Sequence, residues 1–141
     1  MKNIVVLIDT NVLLDIIEKR EGFVPACQLL SLCVEKRING YIAFHSLSTI
    51  WYVLRKNAKD LRRAWLRRIC AILTVTGARH EDVLQAIDRE DFDDFEDCLQ
   101  EICAANVHAD YIITRNTSDF TASAIPAMMP EDFLKLPLPS A

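Results

Sequence analysis

Four acidic residues stand where this chain could do chemistry: Asp9, Asp94, Asp97 and Asp119. Asp9-Thr10-Asn11 directly follows the apolar run Ile4-Val5-Val6-Leu7-Ile8. Asp94 and Asp97 fall where a helical pattern begins, and Asp119 ends Arg115-Asn116-Thr117-Ser118-Asp119, just after the strand-like Tyr111-Ile112-Ile113-Thr114. In an open parallel sheet, ligands bind outside the carboxyl ends of the strands. If these strands are neighbours, the four acids converge on one rim, with Asn11 and Asn116 beside them. Two carboxylates about 4 Å apart repel by roughly 4 kcal/mol at an effective dielectric of about 20. A divalent cation relieves that repulsion, and an all-oxygen shell selects Mg²⁺ or Mn²⁺ over zinc. No His/Cys ligand spacing competes for zinc. The natural use of such a site is phosphodiester hydrolysis, where metal activates water and stabilises the leaving oxygen.

Each acid also has a simpler role open to it. Asp9 before a helix is a good N-cap, and Thr10 could serve instead. Asp94 with Asp97 three residues on resembles a helix start favoured by the macrodipole. Asp94, Asp97 and Glu101 share the side opposite the stripe Phe95, Cys98, Leu99, Ile102 and Cys103, so a solvated face is a second reading. Asn116 to Asp119 could form an Asx-type turn and nothing more. Joint placement at one rim is what favours metal. Lys59, Arg63 and Arg67 form a ladder at helical i, i+4 spacing, read as a solvated face or as phosphate contacts to RNA. His45 lies near the rim and is read as structural; Trp51 and Tyr52 are read as core or interface.

The elements that must position these residues alternate. Ile4 to Ile8 reads as a strand covered on both faces. Val12 to Arg20 reads as helix, and Pro25 starts the next, carried by Ala26, Leu29, Leu30, Cys33 and Val34. Asn39-Gly40 is expected to stop that helix before a short strand at Tyr41 to Phe44. Leu47, Ile50, Trp51 and Leu54 mark a helix, and a basic one follows from about Asp60. Further elements are a weak strand near Ile72 to Val75, helices at Glu81 to Arg89 and from Phe95, a strand at Tyr111 to Thr114, a short one at Ala127 to Met129, and a helix at Glu131 to Leu134. Such alternation predicts an α/β fold with a mostly parallel sheet and helices on both faces.

The composition agrees. The 141 residues are 51% apolar and 26% charged, with only 3 Gly and 5 Pro, which fits one globular domain and excludes disorder or a disulfide scaffold. That domain is expected over residues 1–135, with 136–141 a loosely held tail. Five cysteines without Cys-x-x-Cys spacing read as reduced, core-filling thiols of a cytoplasmic protein. No run is long enough to span a bilayer, and no signal-peptide pattern opens the chain. The net charge of −4 hides a separation. Seven of the 16 basic residues lie between Arg55 and Arg68, and ten of the 20 acids between Glu81 and Glu101. That leaves room for a polyanion beside an acidic, metal-filled pocket.

Three stretches resemble the PIN domain (PilT N-terminus) family. Val6-Leu7-Ile8-Asp9-Thr10-Asn11-Val12-Leu13-Leu14-Asp15 is similar to that family's opening. Asp94-Phe95-Glu96-Asp97-Cys98-Leu99-Gln100 resembles its Asp-Phe-Glu-Asp-Ala-Leu stretch, and Ile112 to Phe120 its strand followed by Thr-Arg-Asn/Asp-x-x-Asp-Phe. Order and spacing agree over residues 3 to 135. The resemblance implies a three-layer α/β/α fold and a Mg²⁺/Mn²⁺-dependent endoribonuclease, as in the toxins of VapC-type toxin–antitoxin pairs. It implies Asp9, Asp97 and Asp119 as metal-holding acids, with Asp94 and Asn116 in or next to the shell. Asn11 would orient Asp9, and Thr114 would support the site. One departure stands out: Thr49 occupies the place where many members carry a Glu. The implied products carry 5′-phosphate and 3′-hydroxyl ends, and single-stranded or loop RNA is the expected substrate. An antitoxin and a second copy of the chain are the expected partners. The alternative is a catalytically weak or inactive PIN scaffold binding RNA or protein, which Thr49 favours. A phosphotransfer domain is disfavoured, because Asp9-Thr10-Asn11 lacks a second acid.

Overall fold

The run Ile4–Ile8 becomes β1, the central strand of a five-stranded sheet in a computed structural model that describes residues 2–138. Its side chains alternate. Val6 and Ile8 enter one core with Val12, Leu13, Leu29 and Phe133, while Leu7 enters a second core with Cys103, Ala104, Ile112 and Phe120. A strand apolar on both faces requires helices on both sides of the sheet. They are α1 (Thr10–Ile17), α2 (Phe23–Val34), α3 (Phe44–Val53), α4 (Lys59–Ile72), α5 (His80–Ile87), α6 (Phe95–Asn106) and α7 (Pro130–Phe133). The other strands are β2 (Ile38–Ala43), β3 (Thr74–Thr76), β4 (Tyr111–Ile113) and β5 (Ala127–Met128), and a short 3-10 helix spans Thr117–Phe120. The result is the expected three-layer α/β/α arrangement.

All pairings are parallel, in the order β3-β2-β1-β4-β5. From β1 the chain winds outward through β2 and β3, then crosses back to lay β4 on the other side of β1. The β1/β4 boundary is therefore the topological switch point, where loops diverge and leave a crevice at the carboxyl ends. Asp9 leaves β1 there, its amide donating to the Ile113 carbonyl at 2.9 Å.

Several local expectations change. Asn39-Gly40 does not stop a helix, because both residues lie inside β2. The helix ends at Val34, and the reversal uses Lys36 at φ 58. Gly40 is needed for packing: a Cβ there would sit 2.6 Å from both Cys33 Sγ and Leu73 Cδ2. The second helix starts at Phe23, two residues ahead of Pro25, whose missing N–H is harmless anywhere in the first turn. Tyr52, read as core or interface, is exposed and so not core, and lies under the Arg55 guanidinium, while Trp51 is half-buried beneath Arg62. In the segment read as a tail, Leu136 and Leu138 pack against the core, and residues 139–141 lie outside the described part. The five cysteines are free thiols, and Cys33, Cys98 and Cys103 are buried. No helix among the described residues is long and apolar enough to cross a membrane.

Candidate metal centre

Asp9 does two things at once. Its extended backbone makes it the N-cap of α1, and its Oδ1 accepts from the Thr10 amide at 2.8 Å. Its Oδ2 accepts from the Thr114 hydroxyl at 2.9 Å, and that hydroxyl in turn accepts from the Asn116 amide at 3.1 Å. The carboxyl is buried, and burial outweighs these bonds, pushing it up to about 6, with Glu96 and Asp119 adding to the rise. Asn11 makes no described hydrogen bond to Asp9. The orientation expected of it comes from the Thr10 N–H, a free donor in the first helical turn, and from Thr114 at the end of β4.

Asp97 lies in the first turn of α6, half-buried. Burial raises its carboxyl to about 7, followed by the charges of Asp94, Asp9, Asp119 and Glu96. So α6 brings Asp97 into the electrostatic range of Asp9 and Asp119, carried by elements far apart in sequence. Asp94 is exposed and caps α6, accepting from the Glu96 amide at 2.7 Å. Capping and charge coupling to Asp97 therefore coexist in this residue. Asp119 and Asn116 stand at the 3-10 helix after β4, both exposed.

Of the α6 face read as solvated, Asp94 is exposed and Asp97 half-buried, but Glu101 is turned inward. Glu101 and Gln100 are buried with Cys98 and Cys103. Glu101 is held between the Arg89 guanidinium at 2.8 Å and the Ala124 amide at 2.9 Å. A carboxylate buried with two such donors looks, in a bare sequence, like any acid on a solvated stripe.

Thr49 and the basic ladder make no described hydrogen bond to the clustered acids. The Thr49 hydroxyl donates to the His45 carbonyl one turn back, at 3.3 Å. Lys59, Arg63 and Arg67 are exposed on α4, which packs on α2, α3 and β3, and none of those elements carries the clustered acids. His45 is partly buried with its Nε2 unpartnered, and burial lowers its pKa against the pull of the Glu96 charge.

Two groups at this rim escaped the sequence reading. One is the pair Arg115–Asp15, N to O 2.6 Å, which joins the β4 loop to α1. Gly22 covers it so closely that a Cβ would lie 2.1 Å from the Arg115 guanidinium. The pair lines a polar cavity of about 380 Å³ with Asn11, Arg20, Glu21 and Asn116. The second is a buried knot of Thr10, Ser46 and Gln100. Neither has a sequence signal, because each joins residues distant along the chain.

Among the described residues, no three His, Cys, Asp or Glu side chains are arranged to hold a metal ion as they stand. The donor chemistry nevertheless fits a hard cation. Every candidate is a carboxylate, and Mg²⁺ keeps several waters while taking only one or two carboxylates plus substrate phosphates. Asp9 and Asp97, both raised by burial and by neighbouring negative charge, are the carboxylates that would supply that pair.

Fold and rim together define an α/β/α domain with an acidic cluster at its switch point. A sequence profile of the PIN domain matches residues 5–118, and the chain belongs to that family. No curated protein matches the sequence. Two solved structures resemble the fold. VapBC2 from Rickettsia felis, bound to a DNA fragment from its promoter, superposes with a TM-score of 0.68 at 15% identity, covering 89% of this chain and 98% of that one. VapBC-1 from nontypeable Haemophilus influenzae gives a TM-score of 0.66 at 11% identity, covering 91% and 99%. At such identities the likeness shows the fold.

Proposed function

We propose that the protein is a Mg²⁺- or Mn²⁺-dependent endoribonuclease of the toxin–antitoxin type. The observation that carries this reading is the pair Asp9 and Asp97, pushed up to about 6 and about 7, first by burial and then by surrounding carboxylates. Such a pair is unstable in its charged form, and a cation restores it. Asp9 and Asp97 would hold the cation, which when bound would supply charge neutralisation at the phosphate and activation of a water. The chain's own part is to hold Asp9 rigid through Thr10 and Thr114 and to present Asp97 from α6. Asp119 would join Asp9 and Asp97 in holding the cation, with Asp94 and Asn116 in or next to the shell. Lys59, Arg63 and Arg67 would contact phosphates further along a single-stranded or loop RNA. Water as nucleophile leaves 5′-phosphate and 3′-hydroxyl ends.

The partner reading extends the VapBC pairing to this chain. A groove of about 390 Å³ between α1, α2 and α4 is lined by Leu13, Ile17, Phe23, Leu30, Trp65 and Ile69, with Lys19 and Arg68 also facing it. It suits an apolar antitoxin segment that carries acids. Phe44, Leu84, Ile87 and Phe95 are exposed apolar residues on α3, α5 and α6, and a homodimer that covers them belongs to the same reading. A cytoplasmic setting, where thiols stay reduced, completes it.

Thr49, with its hydroxyl turned onto its own helix, favours the second reading of a weak or inactive scaffold. Incubating end-labelled RNA with the protein and Mn²⁺ separates the two. The nuclease yields 5′-phosphate ends that vanish in chelator and in Asp97→Asn. RNA binding without metal dependence and without new ends would leave only the scaffold.

A further inference from the structure

Gln100 is fully buried in the middle of α6, among buried Cys98, Cys103 and Ala104. Its Nε2 donates to Ser46 Oγ at 2.8 Å and reaches Thr10 Oγ1 at 3.4 Å. Thr10 Oγ1 and Ser46 Oγ are themselves hydrogen-bonded at 2.7 Å. All three residues are buried, and they come from three elements: the first turns of α1 and α3 and the body of α6. Gln100 Oε1 has no hydrogen-bond partner among the described residues. Packing alone would favour a leucine or methionine here, since a buried amide with an orphan acceptor is costly. What the amide provides is a tie between helices.

The tie falls beside the acids. Thr10 follows Asp9 and donates its amide to that carboxylate. Asp97 precedes Gln100 by about one helical turn, on the same side of α6. We propose that Gln100 is a positioning residue for the divalent-cation site: its amide locks α6 to α1 and α3, and so fixes the separation of Asp97 from Asp9. This rests on the nuclease reading above. Partners that orient metal-holding groups typically cost about 10–100-fold in metal affinity when lost.

The test is Mn²⁺ binding by the metal-free protein, read by electron paramagnetic resonance of free Mn²⁺, with melting followed in chelator. Gln100→Met keeps length and volume but removes the donors. It is expected to weaken Mn²⁺ binding by about 10-fold or more, while its chelator-melted stability stays near that of the wild type. Raising Mn²⁺ should restore RNA cleavage to Gln100→Met but not to Asp97→Asn. Should Gln100→Met fail to fold, Ser46→Ala removes the acceptor and leaves the amide, and it too should weaken binding. Binding within twofold of wild type in the folded variants overturns the proposal while the nuclease reading stands. A wild type that binds no Mn²⁺ overturns both.

Discussion

Replacing Asp9 by Asn should make the metal-free protein more stable at neutral pH, and the gain should depend on pH in a defined way. The carboxyl is 6% exposed, and its pKa rises from 3.8 to about 6 on folding. At about 1.36 kcal/mol per unit, ionising it inside the fold costs about 3 kcal/mol. For an acid whose pKa is raised, the folded state holds its proton longer than the unfolded chain. Stability is therefore lost as pH climbs from about 4 through about 6, and the loss is complete above that. At pH 4.5 most of the cost is still absent, so the gap between Asp9→Asn and wild type should widen by about 2 kcal/mol on going to pH 8. Asn retains acceptor and donor for the Thr10 amide and the Thr114 hydroxyl, so the two bonds need not be broken. In a chelated sample, urea unfolding at both pH values reads this difference directly, and melting temperature should diverge by about 6 °C or more. Mn²⁺ should then recover the wild type and leave the variant unchanged. A gap that is the same at both pH values would refute the reasoning, for it would mean that Asp9 titrates as an ordinary carboxyl.

Arg115→Met should cost about 3 kcal/mol, because it strands the Asp15 carboxylate, 5% exposed, without its partner; chemical denaturation should show much of that loss recovered in the double variant with Asp15→Asn. Changing Lys59, Arg63 and Arg67 together to Gln should leave stability almost untouched, since all three are exposed. It should lower the slope of log affinity for single-stranded RNA against log salt by about 2, read by fluorescence anisotropy.

How much of this was legible before the coordinates depends on how local the cause is. The run Ile4–Ile8 suits a strand covered on both faces, which it is, and Asp9 after it stands at that strand's carboxyl end. Helix–strand alternation then points to a parallel sheet, but the rim also needed β1 and β4 to be neighbours, which the structure supplies. The motifs around Asp9, Asp94 to Gln100 and Ile112 to Phe120 gave the family, which the profile over residues 5–118 establishes. Asn39-Gly40 misled because Gly is read locally as a helix stop, while here the close approach of Cys33 and Leu73 to a strand demands it.

Only the folded chain decides which polar side chains pay desolvation together. Glu101 lies on the side of α6 that could be read as solvated, and Gln100 lies outside its apolar stripe, yet both are buried, where Ser46, Thr10 and Arg89 meet them. Asp15 finds Arg115 a hundred residues away. Periodicity reports which face of a helix is apolar. It carries nothing about a distant hydroxyl or guanidinium, because hydrogen bonds and charge pairs depend on distances that only packing sets.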